Sequence, residues 1–164
     1  MANYCETTIK CDATKEAKNK FKELIKEKQL FNEGQMEVAE FDCGFFGITN
    51  WASDYDAIRE IAKEVIAIDS NAVVGVSDWE QDCCVCNAYA FSDSHLEEAK
   101  FIHLKEKEIA EKIGLNETEF EGIRAMETEE DEENWYKYFD ALQEELGKAL
   151  KKVMNEKEKQ QVLV

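Results

Sequence analysis

The sequence contains no proline among its 164 residues, where about 5% is usual. This absence excludes proline-rich linkers and argues against a chain built mainly of loops. No apolar run approaches the roughly 18 residues of a membrane-spanning helix. The first residues show no basic segment followed by an apolar one, the pattern of a secretory signal. We therefore expect a cytoplasmic protein whose six cysteines are reduced thiols.

Positive charge is also scarce. The 20 Lys and Arg residues face 37 Asp and Glu residues, which gives a formal net charge of −17 at pH 7. A chain of this charge repels phosphate groups, so direct binding to nucleic acid or to an anionic membrane is not expected. The natural partner of such a surface is a basic protein, such as a nuclease that itself binds nucleic acid.

Hydrophobic periodicity predicts the order β-α-β-β-α-β-β over the first part of the chain. Strands are predicted at 3–11, within 35–51, at 71–79 and at 83–91, and helices at 13–31 and 54–67. The 35–51 segment is read as a hairpin, with one long bent strand as the alternative. Either Ser53 or Asp54 is the expected N-cap of the second helix. The first six elements match the split βαβ, or ferredoxin-like, unit, an antiparallel sheet with both helices on one face.

The composition changes after residues 92–94, and helices are predicted at 95–113, 117–126 and 131–158. The strand at 83–91 is apolar on both faces, so the second face of the sheet needs a cover, and these helices are the obvious one. We predict an α+β fold: a ferredoxin-like domain of residues 1–92 with an extra strand, and a helical extension of residues 93–164 packed on it as one globule. The last helix carries a heptad-like repeat of apolar residues, so either a monomer or a homodimer is possible. The residues of this heptad-like seam are Trp135, Phe139, Leu142, Leu146, Ala149 and Val153.

The opening segment MANYCETTIKCDATKEAKNKFKEL and the block FFGITNWASDYDAIREIAKEV carry a resemblance. The first resembles the start of the YubB-like (DUF1281) ferredoxin-like proteins of plasmids, phages and bacteria. The second is similar to their aromatic-x-Thr-x-Trp segment through Phe46, Thr49 and Trp51, although Ile48 changes the spacing and Ala52 stands where the family usually has proline. The resemblance covers about residues 1–92. It implies a ferredoxin-like fold and a mobile-element setting, and it carries over no catalytic residue.

A cysteine cluster, Cys83-Cys84-x-Cys86, marks the last predicted strand. A structural zinc site usually combines two ligand pairs, and no second pair with suitable spacing follows. Buried cysteine is a common small core residue, so packing is the preferred interpretation and no cofactor is expected. Cys84 and Cys86 share one strand face and are the metal candidates, which Cys5, Cys11 and Cys43 could join from neighbouring strands. The chain has no phosphate-binding glycine loop, no G-x-S-x-G and no H-E-x-x-H motif, and we predict that it is not an enzyme.

Two acidic segments are the candidate partner-binding sites. The first has six acidic residues followed by an exposed aromatic candidate; its members are Glu127, Glu129, Glu130, Asp131, Glu132, Glu133 and Tyr136. The second is a predicted bend between two strands with Asp78, Glu80 and Asp82. The simplest interpretation of the first segment is a solvated helix start, where carboxylates are favoured.

Two functional hypotheses follow. The first is a non-enzymatic acidic interaction protein of phage or mobile-element type that binds, and inhibits, a basic host or defence protein such as a CRISPR effector. The alternative is a ferredoxin-like domain that binds a small molecule, metal or redox ligand through its Cys-rich strand.

Overall fold

The computed structural model describes residues 4–34, 36–80 and 85–155, which form one sheet and five helices. The strands are β1 (Tyr4–Asp12), β2 (Ala39–Phe41), β3 (Gly44–Asn50), β4 (Val73–Glu80), β5 (Val85–Phe91) and β6 (Lys100–His103). The helices are α1 (Lys15–Lys28), α2 (Tyr55–Ile68), α3 (Glu106–Lys112), α4 (Glu117–Ala125) and α5 (Glu129–Asn155), and a short 3-10 turn spans Asp93–His95. Among these residues, no helix is both long and apolar enough to cross a bilayer.

The sheet has the strand order β2-β3-β1-β4-β5-β6, and its pairs are antiparallel. The β1 strand lies between β3 and β4, as the split βαβ unit requires, so the predicted α+β fold is confirmed. Alternate residues of β1 and β4 face α1 and α2: Ile9 and Val76 join Phe21, Ile58 and Val65 in the largest core cluster. The predicted β2–β3 hairpin is confirmed, and Asp54 caps α2 by accepting a hydrogen bond from the Ala57 backbone amide at 3.0 Å.

The second face of the sheet is covered by α5. Val73, Ala88 and Ala90 of the sheet pack against apolar residues of the last turns of this helix. Gly75 permits the close approach, because a Cβ at this position would lie only 2.6 Å from Met154. The heptad-like seam is therefore used within the molecule, and it no longer supplies a reason to expect a dimer.

The prediction of a helix over 95–113 is wrong in its first half. Residues Lys100–His103 form β6, whose Ile102 pairs with Ala88 and whose Phe101 pairs with Tyr89. Only Glu106–Lys112 is helical. A strand of 4 residues is too short to show alternation in the sequence, and its pairing with β5 overrides the local helical pattern. The sheet thus continues past residue 92.

The predicted acidic bend is also wrong. The β4 strand continues to Glu80, so Asp78 and Glu80 lie inside it with only 2% and 4% of their surface exposed. The periodicity of β4 places both on the α1–α2 face, together with Val74 and Val76. Asp82 lies outside the described residues. Neither carboxylate is therefore part of an exposed acidic bend.

Candidate functional site

The start of α5 is built by a reciprocal cap. The backbone amide of Thr128 donates to Asp131 Oδ2 at 3.0 Å, and the amide of Asp131 donates to Thr128 Oγ1 at 3.1 Å. These bonds satisfy amides that have no partner within the helix. Asp131, one of the candidate partner-binding residues, therefore has a structural role.

The other acidic residues of this segment form a surface that we call the acidic patch: Glu127, Glu129, Glu130, Glu132 and Glu133. All five are exposed. No basic side chain of the described residues forms an ion pair with any of them. Further along the same helix, Glu144 and Glu145 are both paired with Lys148, at 2.6 and 3.1 Å. The acidic patch thus differs from Glu144 and Glu145 of the same helix in having no ion pair among the described residues.

Two exposed apolar side chains border the acidic patch. Tyr136, a predicted site residue, is 60% exposed, and its hydroxyl donates to Glu132 Oε1 at 3.5 Å. Met126, which the sequence analysis did not select, is 48% exposed and ends α4 in the left-handed conformation with a φ of 50°. In the sequence, the signal that could have identified Met126 is a large apolar residue placed directly before an acidic run.

Beneath the acidic patch, α5 is fixed to the sheet and to α3. Trp135 is half-buried, and its ring centroid lies 5.9 Å from that of Trp79 in β4. The indole of Trp79 and the hydroxyl of Tyr138 both donate to Glu106 Oε1, at 3.1 and 2.6 Å. Burial raises the pKa of Tyr138, so its hydroxyl remains a donor at neutral pH. The patch is therefore presented on a rigid support.

A second polar site, not anticipated from the sequence, crosses the α1–α2 face of the sheet. Four residues on four neighbouring strands are directly paired across it, and we call them the polar row: Thr7, Asp78, Asn87 and His103. Thr7 Oγ1 donates to Asp78 Oδ1 at 2.7 Å. Because a hydroxyl has a single hydrogen, Thr7 Oγ1 is the acceptor in its 2.8 Å hydrogen bond with Thr49 Oγ1. Thr7 and Thr49 are buried.

The segment before α2 is tied to the polar row through Ser53. Its hydroxyl donates to Asp78 Oδ2 and therefore accepts from the Tyr89 hydroxyl, 2.6 Å away. Burial raises the pKa of Asp78, and the hydrogen bonds from Ser53 and Thr7 oppose this shift. In the same segment Trp51 is exposed with a φ of 69°, a conformation unusual for a bulky residue.

Three buried cysteines, Cys5, Cys11 and Cys86, are not activated. Cys5 and Cys11 lie on the α1–α2 face of β1, whereas Cys86 lies on the opposite face of the sheet in a cluster with Trp79. Burial raises the pKa of each of these three thiols to about 12, so none is a thiolate at neutral pH. Within the ranges given above, no group of three or more His, Cys, Asp or Glu residues is placed to hold a metal ion. Cys84, the other metal candidate, lies outside those ranges.

Comparison with known proteins leaves these sites without a precedent: no protein-family model, no curated protein and no solved structure matches the chain. No relative therefore supplies a residue role, and the YubB-like resemblance stays a prediction.

Proposed function

We propose that the protein is a non-enzymatic binding protein whose acidic patch docks on a basic surface of another protein. The observation that carries this proposal is five exposed glutamates without a basic partner among the described residues, flanked by the exposed side chains of Met126 and Tyr136. Aromatic and Met side chains are enriched in protein interfaces, and a surface of one charge sign complements a partner of the opposite sign.

The helix dipole accounts for only part of this charge. It favours carboxylates in the first turn, which applies to Glu129, Glu130 and Glu132. Glu133 lies one turn further along α5, four residues after Glu129 and three after Glu130, so the three side chains are on the same side of the helix. Like charges at these spacings destabilise a helix by about 0.2–0.5 kcal/mol per pair. An unpaired glutamate beyond the first turn, beside those of the first turn, favours an external counter-charge.

The partner that this chemistry favours is a basic protein, and a nucleic-acid-binding protein of a host or a defence system, such as a CRISPR effector, has such a surface. Carboxylates accelerate association with a positive surface by long-range steering, which salt screens over a Debye length of about 8 Å at physiological ionic strength. The mobile-element setting belongs to this proposal and rests on the YubB-like resemblance. The inhibitory role also belongs to it and rests on analogy with anti-CRISPR proteins and DNA mimics, which occupy the nucleic-acid groove of their target.

The experiment compares two variants of equal charge. In the first, the five glutamates of the acidic patch are replaced by glutamine, and Asp131 is kept because it caps α5. In the second, five exposed glutamates elsewhere, none with an ion pair in the described structure, are replaced in the same way: Glu16, Glu27, Glu33, Glu37 and Glu98. Basic proteins captured from a lysate by the wild type are purified, and their association rates are measured at low and physiological salt.

We expect the patch variant to associate at least tenfold more slowly at low salt, and the matched variant to stay within about threefold of the wild type. The difference should shrink as salt is added. Equal slowing by both variants would show that only net charge matters, and unchanged rates in both would refute the proposed docking surface.

A further inference from the structure

Two acceptor oxygens at one end of the sheet have no hydrogen-bond donor among the described residues. They are Glu80 Oε1 on β4 and Asn87 Oδ1 on β5, and both atoms are buried. Glu80 pairs with Val85 in the strand register, so Asn87 is its diagonal neighbour on the same face. A buried acceptor without a donor is costly and rare in folded proteins, so two adjacent ones need an explanation.

The surroundings of these oxygens are acidic. Asp78 is two residues before Glu80 on the same face. Burial raises the pKa of the nearby Cys5 thiol, and the negative charges of both carboxylates raise it further. The donors to Asp78 among the described residues are hydroxyls, a backbone amide and the Cys5 thiol, not cations. No Lys or Arg in the described part of the chain forms an ion pair with Asp78 or Glu80. This region therefore has an excess of both acceptors and negative charge.

The polar row becomes more exposed toward the edge strand β6. Thr7 and Asp78 are buried, Asn87 is half-buried, and His103 at the edge is exposed. Next to His103, the exposed ring of Phe101 has its centroid 5.6 Å from the imidazole. A molecule that approaches Asn87 from this edge meets aromatic faces, which attract cations.

We propose that this end of the sheet is a binding site for an organic cation that carries N–H donors, a primary ammonium or a guanidinium group. Such a group supplies the two missing donors and the missing positive charge together. The chemistry is shared by free small amines and by a Lys or Arg side chain of another protein. The site is on the sheet face opposite to α5 and does not depend on the acidic patch.

The test uses propylammonium and propylguanidinium at constant ionic strength, followed by the backbone amide signals of the protein in NMR spectra. Tetramethylammonium has the same charge but no N–H donor and is the matched probe. We expect saturable shifts at Glu80, Asn87 and His103 with the first two probes at millimolar concentration, and no saturable shift with tetramethylammonium.

A second experiment compares a capped arginine peptide with its glutamine counterpart. Tighter binding of the arginine peptide than of propylguanidinium assigns the site to a protein side chain, and the reverse assigns it to a small molecule.

Glu80→Gln separates a binding role from a structural one. Replacing the carboxylate should weaken binding of propylguanidinium about tenfold or more, because a hydrogen bond to a charged group is lost. The melting temperature of the free variant should be unchanged or higher, since an unpaired buried charge has been removed. The patch variant with five glutamines should bind the probe as the wild type does, which separates this site from the proposed docking function. A destabilised Glu80→Gln protein with unchanged probe affinity, equal binding of tetramethylammonium, or no saturable shift would each overturn the proposal.

Discussion

The Ser53 hydroxyl joins the segment before α2 to two strands, and its removal is a direct test of the polar row. In the native protein it donates to Asp78 Oδ2 and accepts from the Tyr89 hydroxyl at 2.6 Å. Ser53→Ala removes the hydroxyl donor to Asp78 Oδ2, and the Ser53 backbone amide that remains is 3.4 Å away, a long hydrogen bond. It also leaves the buried Tyr89 hydroxyl without its acceptor.

The magnitude follows from these two losses. A hydrogen bond to a charged group contributes about 1.5–3 kcal/mol, and an orphaned buried donor costs about 1–3 kcal/mol. Because the two share one hydroxyl and are not additive, we expect Ser53→Ala to lower the free energy of unfolding by about 3 kcal/mol. For a chain of this size that corresponds to a fall in melting temperature of roughly 6–12 °C.

The assay is urea unfolding at pH 7 followed by circular dichroism, with Ser94→Ala as the matched control. Ser94 is exposed, and its hydroxyl contacts only Ser92 and His95, so its loss should stay within about 0.5 kcal/mol of the wild type. Tyr89→Phe removes the orphaned donor, so the double variant with Ser53→Ala should be destabilised by less than the sum of the two single changes. A Ser53→Ala loss below about 1 kcal/mol, or strict additivity in the cycle, would refute the reasoning.

Three further changes test the fold and its charges. Burial raises the pKa of Asp78 above its ordinary value of 3.8, so the protonated carboxyl stabilises the folded state. This stabilisation is complete below pH 3.8 and is lost as the pH rises through the folded-state pKa. Asp78→Asn should therefore remove this part of the slope in a plot of unfolding free energy against pH, and an unchanged slope would contradict the assignment. Gly75→Ala should lower the free energy of unfolding in urea by about 1–3 kcal/mol, because its Cβ would lie 2.6 Å from an α5 side chain. Gly147→Ala, whose Cβ would have nothing within 4 Å, should raise it by up to about 1 kcal/mol. Equal effects at the two glycines would contradict the close packing of α5 on β4. Thr128→Ala should cost about 1 kcal/mol in thermal unfolding, and Thr14→Ala, whose side chain makes no cap bond, should cost less; the reverse order would argue against the α5 cap.

Local hydrophobic periodicity in the sequence was sufficient to predict the ferredoxin-like order of strands and helices. Alternation placed Ile9 of β1 in the core, and a 3.6-residue stripe placed Ile58 and Val65 of α2 there. The two-sided apolar character of β5 also indicated that helices must cover the second face, which α5 does. These features were predictable because each depends on the residues of one segment.

The features that only the tertiary structure decided depend on residues far apart in the chain. The β6 strand exists because it pairs with β5, a relation that its own 4 residues do not encode. Asp78 and Glu80 suggested an acidic bend, yet β4 continues through both, and Asp78 is satisfied by Thr7, 71 residues earlier. Acidic residues are usually exposed, so the sequence predicted an accessible loop, whereas the register of three strands buries these carboxylates and assembles the polar row.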